Sequence, residues 1–271
     1  MTRLLGLGWV LLASAPMASA HEDLNEQIAG VTVQILESHD RADLYLKRAE
    51  LFRWHEDWPA AMADYERAER LAPALDAVHL GRGKMLLAAG RCEEAQAELD
   101  KFLAAQPGHL DGFLTRARVE ARHGKPLLAA DDFARAIAAA PRPEPEYYLE
   151  RADALVAAGD EHFGDALHCL DEGTARLGNL PTLGLRAIEL EQKQKHYDEA
   201  LARLEKLSTN AVRKEAWLER RGDLLIAAGR PEEARQAYQA ATQALGQLPA
   251  PRRTTKAANE LAARLQRKTA P

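Results

Sequence analysis

The chain has 271 residues, 46% of them hydrophobic and 28% charged, with a formal net charge of −5. That composition is too apolar for a disordered chain and suits a folded one. The acidic balance argues against nucleic acid as the partner, because phosphate binding needs a basic stripe. The short basic pairs Arg213-Lys214, Arg220-Arg221 and Arg252-Arg253 read as solvated helix faces.

The first twenty residues differ from the rest. Arg3 supplies a positive start, Leu4 to Pro16 forms an apolar run, and Ala18-Ser19-Ala20 is a small-x-small cleavage site. The run is too short to span a bilayer. Residues 1–20 are therefore predicted to be a secretory signal peptide, leaving a mature chain that begins at His21 and has no transmembrane segment. The predicted localisation is periplasmic or secreted. Export permits disulfides, but Cys92 and Cys169 fall in different repeat units, so both are expected to be free, packed thiols.

Beyond the cleavage site, Leu24, Ile28, Val31 and Ile35 form the stripe of an amphipathic helix, and residues 21–41 are predicted to cap the open end of a helical stack. Ser38 to Arg41 break the pattern. From Ala42 to Pro73, apolar and small residues at Tyr45, Ala49, Phe52, Ala61, Tyr65 and Ala68 read as two short helices, and the pattern returns with Pro107 and Pro141 at a period of 34 residues. One such unit cannot bury its own face, so the period implies stacked hairpins over residues 42–248. Gly90, Gly124, Gly159 and Gly229 fall near the turns between paired helices. Pro249 and Pro251 end the repeats, and residues 249–271 are predicted to hold a capping helix started by Thr254 or Thr255, with Ala258, Leu261 and Leu265 inward.

These residues resemble the tetratricopeptide repeats, whose pattern runs aromatic-x-x-Leu-Gly-x-x-Tyr, then Ala-x-x-x-Phe, then Pro. The first three copies carry Tyr45, Ala49, Phe52, Ala61, Tyr65 and Pro73; then Gly83, Leu86, Ala95, Leu99 and Pro107; then Phe113, Ala117, Ala129, Phe133 and Pro141. The fourth, with Tyr148, Ala152, Leu155, Ala166 and Leu170, has two extra residues in its turn between Gly159 and Gly164. The fifth, with Ala187, Leu190, Ala200 and Leu204, has one extra residue and lacks the closing proline; the sixth carries Gly222, Leu225, Ala234 and Tyr238. The resemblance implies an all-α, right-handed superhelical solenoid of about six hairpins with a capping helix at each end.

The resemblance also implies a concave surface lined by the first helix of each repeat. Its residues here are Leu46, Glu50, Arg53 and Trp54, then Leu80, Lys84 and Leu87, then Leu114, Arg118 and Arg122, then Leu149 and Asp153. A leucine ladder flanked by charges suits a peptide or partner helix, with apolar anchors for affinity and charges for register. The alternative is that Leu46, Leu80, Leu114 and Leu149 only seal neighbouring helices.

One departure from the family recurs in every copy: Arg48, Arg82, Arg116, Arg151, Arg186 and Arg221 stand before the small residue. Each is expected to lay its stem over the hairpin and pair internally, with Asp64, Glu98 and Asp132 as partners in the first three repeats. Near that offset the later repeats have Cys169, Arg203 and Ala237, so their pairing must come from elsewhere. A ladder that binds an anionic ligand is the other reading.

No catalytic motif is present, and no catalytic residue, resident metal or cofactor is expected: His55-Glu56 and His21-Glu22 lack the second histidine of a helical zinc site, and Gly81-x-Gly83 lies inside a helix, where it serves close packing. His21, as a mature N-terminus, is the one candidate copper ligand, but His39 would lie about 25 Å away along a helix at about 1.5 Å per residue. The sequence thus points to an exported scaffold or adaptor that binds another protein. Copper binding at His21 and a purely structural assembly subunit stand as alternatives.

Overall fold

The computed structural model describes residues 15–209 and 211–269, with side chains from Asp23 onward. Residues 1–14, on which the signal-peptide expectation mainly rests, and the side chain of His21 lie outside the described residues. Among the described residues the chain forms fifteen α-helices and one 3-10 turn, with no strand, and no helix is long and apolar enough to cross a membrane. The chain divides into two compact units, residues up to Gly124 and residues from Lys125. Each is a stretch of all-α solenoid built from stacked helical hairpins.

The first unit contains α1 (Ala15–Glu37), α2 (Ala42–Trp54), α3 (Trp58–Leu71), α4 (Ala77–Ala88), α5 (Cys92–Ala105) and α6 (Leu110–Arg122). Helix α1 packs on α2, burying Val31 and Ile35 as the apolar stripe requires, and it begins earlier than the expected cap. Helices α2 with α3 and α4 with α5 form hairpins. Helices α2, α4 and α6 also touch in succession, which sets the first helices side by side in one row. Tyr65, Met85, Leu86 and Leu99 fill the space behind that row.

The second unit contains α7 (Pro126–Ala139), α8 (Pro145–Ala158), α9 (Phe163–Leu177), α10 (Pro181–Lys193), α11 (Tyr197–Ser208), α12 (Glu215–Ala227), α13 (Pro231–Gly246), α14 (Ala250–Arg253) and α15 (Lys256–Thr269). The two extra residues of the fourth repeat are absorbed as a 3-10 turn, Asp160–His162. Helix α15 packs on α13 with Ala258, Leu261 and Leu265 buried, and Thr255 Oγ1 accepts from Ala258 N at 3.3 Å, so Thr255 supplies the expected cap. Prolines open α7, α8, α10 and α13, where a missing N–H costs nothing and the fixed φ already suits the helix.

Except in the fourth repeat, the described turns between paired helices share one geometry. At Gly90 the backbone enters the left-handed region with φ 76°; Gly90 N bonds back to Leu87 O and Arg91 N to Leu86 O, which satisfies the last carbonyls of α4. The same pair of bonds recurs at Glu56 and Lys195, where non-glycine residues take φ 61°. A side chain there carries the left-handed cost of about 1–2 kcal/mol, offset by about 0.4–1 kcal/mol because glycine loses more freedom on folding. An added Cβ at Gly90 would meet nothing within 4 Å, so the backbone alone decides the effect. Glu56→Gly is therefore expected to stabilise the protein, and Gly90→Ala to destabilise it, each by about 0.5–1 kcal/mol in chemical denaturation.

Candidate functional site

The site begins at the helix crossings. Each hairpin places small residues where its two helices meet, such as Ala49 and Ala61, Ala152 and Ala166, and Ala187 and Ala200, all with no exposed surface. Gly83 and Gly222 hold the same position in their repeats: a Cβ on Gly83 would come within 2.7 Å of Leu99 Cγ, and one on Gly222 would strike the Tyr238 ring. Gly81 is likewise blocked, by Tyr65 Cε1 at 2.7 Å, so the Gly81-x-Gly83 pair is a packing feature.

The arginine before each small residue pairs with a carboxylate in all six repeats. Arg48 grips Asp64 through two bonds of 2.6 and 2.8 Å, and Arg82 bonds Glu98 at 3.2 Å and Glu69 at 2.5 Å. Burial works against charge on Glu98, yet hydrogen bonds from His79 and Lys101 and the nearby Arg82 charge hold its pKa below the ordinary carboxylate range. Arg116 bonds Asp100 at 2.8 Å, and Asp132, its expected partner, lies in the second unit, where it is buried and accepts from Arg135. In the later repeats the acids come from new places: Glu172 for Arg151 at 3.5 Å, Asp153 and Glu189 for Arg186 at 2.6 and 3.0 Å, and Glu205 for Arg221 at 3.9 Å. Arg203 reverses the polarity of the fifth repeat by spanning Glu191 and Asp171.

On the row of first helices in the first unit, a hollow of about 280 Å3 is lined by Arg53 and Trp54 of α2, Lys84 and Leu87 of α4, and Asp111, Thr115 and Arg118 of α6. Trp54 is 65% exposed, and the Arg53 guanidinium lies over its ring, 4.6 Å from the centroid. Behind them, buried Tyr65 donates to Glu50 at 2.6 Å, and Glu50 accepts from Arg53 Nη2 at 2.7 Å. The tyrosine and carboxylate thus fix the cation, and the cation fixes the indole. Lys84 is ion-paired with Asp111, and exposed Arg122 donates to Leu87 O at 2.8 Å. Leu46 and Leu80 are half-buried on the same row, while Leu114 is buried, as a residue sealing helices would be. Leu149 and Asp153 belong to the second unit, the first half-buried on α8, the second exposed and held by Arg186.

The sequence reading missed a second network of the same design. Tyr238 donates to Asp223 at 2.8 Å, fifteen residues back, the same offset that joins Tyr65 to Glu50. Lys268 and Arg264 of α15 reach across to Asp223 and Glu219 at 2.6 and 2.9 Å, beside a hollow of about 540 Å3 that Trp217 and Leu185 also line. The repeated acid-to-tyrosine offset was the available signal.

Both cysteines are free; Cys169 is buried against Tyr148 O, and burial pushes its pKa up to about 11. Among the described residues no group of three or more His, Cys, Asp or Glu is placed to hold a metal.

Three outcomes are expected. Arg82→Ala should lose about 2–3 kcal/mol in denaturant unfolding, because it strands the buried Glu98, although His79 and Lys101 still serve that carboxylate. A thiol reagent should modify Cys92 in the folded protein and reach Cys169 only on unfolding. Hydrogen bonds from Arg264, then Lys268, hold the Glu219 pKa below its ordinary value against the cost of burial. Its stabilising effect is therefore complete above the unfolded value of about 4.3 and is lost as pH falls through the lowered folded value. Amide exchange in α15, corrected for intrinsic rates, should stay slow while Glu219 is ionised and quicken only as pH falls below the ordinary carboxylate range.

A family model described as a tetratricopeptide repeat-like domain matches residues 148–261, and one described as a tetratricopeptide repeat matches residues 80–144. A search of curated proteins found no match. Among solved structures, the C-terminal part of a repeat-containing protein from Cytophaga hutchinsonii superposes with a TM-score of 0.66 at 16% identity, covering 89% of this chain and 95% of that one. A tetratricopeptide repeat protein from Parabacteroides merdae gives 0.54 at 14% identity over 92% and 94%. PilW, described as a type IV pilus biogenesis factor, gives 0.51 at 19% identity over 90% and 92%. The two matched segments, the small residues at the hairpin crossings and the shared architecture agree: the chain belongs to the tetratricopeptide-repeat family.

Proposed function

We propose that this protein is exported and that it acts as a scaffold or adaptor in the cell envelope, binding a peptide or partner helix of another protein on the row formed by α2, α4 and α6. Membership of the family supports protein–protein interaction in general. The observation that carries the finer reading is Trp54, a large aromatic side chain left exposed yet held in place by Arg53, Glu50 and Tyr65. Interfaces draw their affinity from such aromatic and arginine anchors, and a preformed anchor loses little freedom on binding. Arg53 is held by Glu50 and Lys84 by Asp111, so the hollow presents charged groups already fixed in place, which suit setting a partner's register. Export is supported by the basic start, apolar run and Ala18-Ser19-Ala20 site.

With a partner isolated by affinity capture on the mature form, Trp54→Ala and Arg122→Ala should each weaken binding at least about tenfold in calorimetry. Helicity and melting should not change. Equal affinity in both variants would move the site off this face. For export, the intact mass of secreted material should match a chain starting at His21; protein retaining residues 1–20 in the membrane fraction would contradict it.

A further inference from the structure

We propose that the hollow between α11 and α12 binds a small amphipathic anion, a carboxylate or phosphate group on an apolar body, with Arg221 and Lys214 taking the charge and Trp217 the apolar part. This site lies wholly in the second unit and does not depend on the groove reading.

The hollow has a sequence cause. The fifth repeat lacks the proline that follows the second helix of the first three; its second helix ends at Ser208 and the next helix begins at Glu215. There α11 and α12 enclose about 340 Å3, within the range of about 300–1,000 Å3 typical of small-molecule sites. Leu201, Leu204 and Leu218 give it an apolar floor, and half-buried Trp217 forms a wall.

Arg221 is the odd member of the arginine ladder. The other five hold a carboxylate at 3.5 Å or closer. Arg116 makes its pair sixteen residues back, to Asp100, at 2.8 Å. Arg221 makes the equivalent pair, to Glu205, at only 3.9 Å, with the two side chains 44% and 72% exposed. On the forward side, where Arg48 finds Asp64, Arg221 has Ala237. The position that anchors each other hairpin thus turns its guanidinium toward an open hollow, and exposed Lys214 adds a second positive charge just before α12. Glu205 offsets one of the two positive charges, so the lining keeps a net positive charge and favours an anion. A guanidinium presents a planar fork to a carboxylate or phosphate, and an indole beside it suits the apolar body.

Calorimetric titration of the full chain with octanoate, octyl phosphate and octanol, below their micellar concentrations, tests this. Octanoate or octyl phosphate should bind at least about tenfold more tightly than neutral octanol. Tighter binding of octanoate assigns the site to carboxylates, and tighter binding of octyl phosphate assigns it to phosphate esters. Arg221→Gln should weaken the anion at least about tenfold without lowering the melting temperature, because an exposed pair at this separation adds little to stability. Lys214→Ala, at an exposed position, should weaken it less and provides a second, safely folded variant. Absence of binding by both anions, equal binding of octanol, or unchanged affinity in both variants would overturn the proposal.

Discussion

The close crossing of paired helices is the constraint on which the rest depends. A first helix can lie against its second only if the residue at the crossing is alanine or glycine, and an added carbon at Gly83 or Gly222 would fall inside a neighbouring side chain. Once the helices are that close, the residue before the small one must run along the hairpin. In this chain that residue is always arginine, and its long stem covers apolar surface while its head reaches an acid. A buried pair of this kind adds little net stability over an apolar one, but leaving one member alone is costly. The ladder therefore fixes register more than it adds binding energy, and the varied partners of Arg151, Arg186 and Arg221 show that any nearby acid serves.

The same crossing organises the row of first helices. Tyr65 stands behind the row of first helices with its hydroxyl aimed at Glu50, so the carboxylate is held in a position that captures Arg53. Burial and the adjacent carboxylate push the Tyr65 pKa up, which keeps the hydroxyl a donor. Trp54 then rests on an immobilised cation and presents a rigid aromatic surface to solvent. In the second unit the equivalent tyrosine, Tyr238, orients Asp223, but there Lys268 of α15 occupies the acid and lies 5.4 Å from the tyrosine ring centroid. One local device thus builds an open anchor in one unit and clamps the terminal helix in the other.

Much of this was legible in the sequence. The 34-residue period, the small residues at the crossings, the closing prolines and the turn glycines are local rules, and each appears where the chain needs it. Asp64 and Glu98 could be named as partners because the first repeats keep a constant sixteen-residue offset. In the later repeats the equivalent positions are Cys169, Arg203 and Ala237, none of them acidic, so Glu172 and Asp153 could not be found by counting. The tyrosine-to-acid bonds were also overlooked, because Tyr65 and Tyr238 read as ordinary core residues, and whether their hydroxyls find an acid depends on packing. Leu114 was grouped with the other ladder leucines although it is buried, since a pattern shared along a row does not reveal how deeply each member sits.

The proposed function requires the row of α2, α4 and α6 to be the surface that meets a partner. Hydrogen–deuterium exchange of the chain, free and saturated with a partner recovered by affinity capture, tests this directly. Slower exchange is predicted over Ala42–Trp54, Ala77–Ala88 and Leu110–Arg122, with α3 and α5 unchanged. Protection that falls on Trp58–Leu71 and Cys92–Ala105, leaving the first helices as they were, would contradict it.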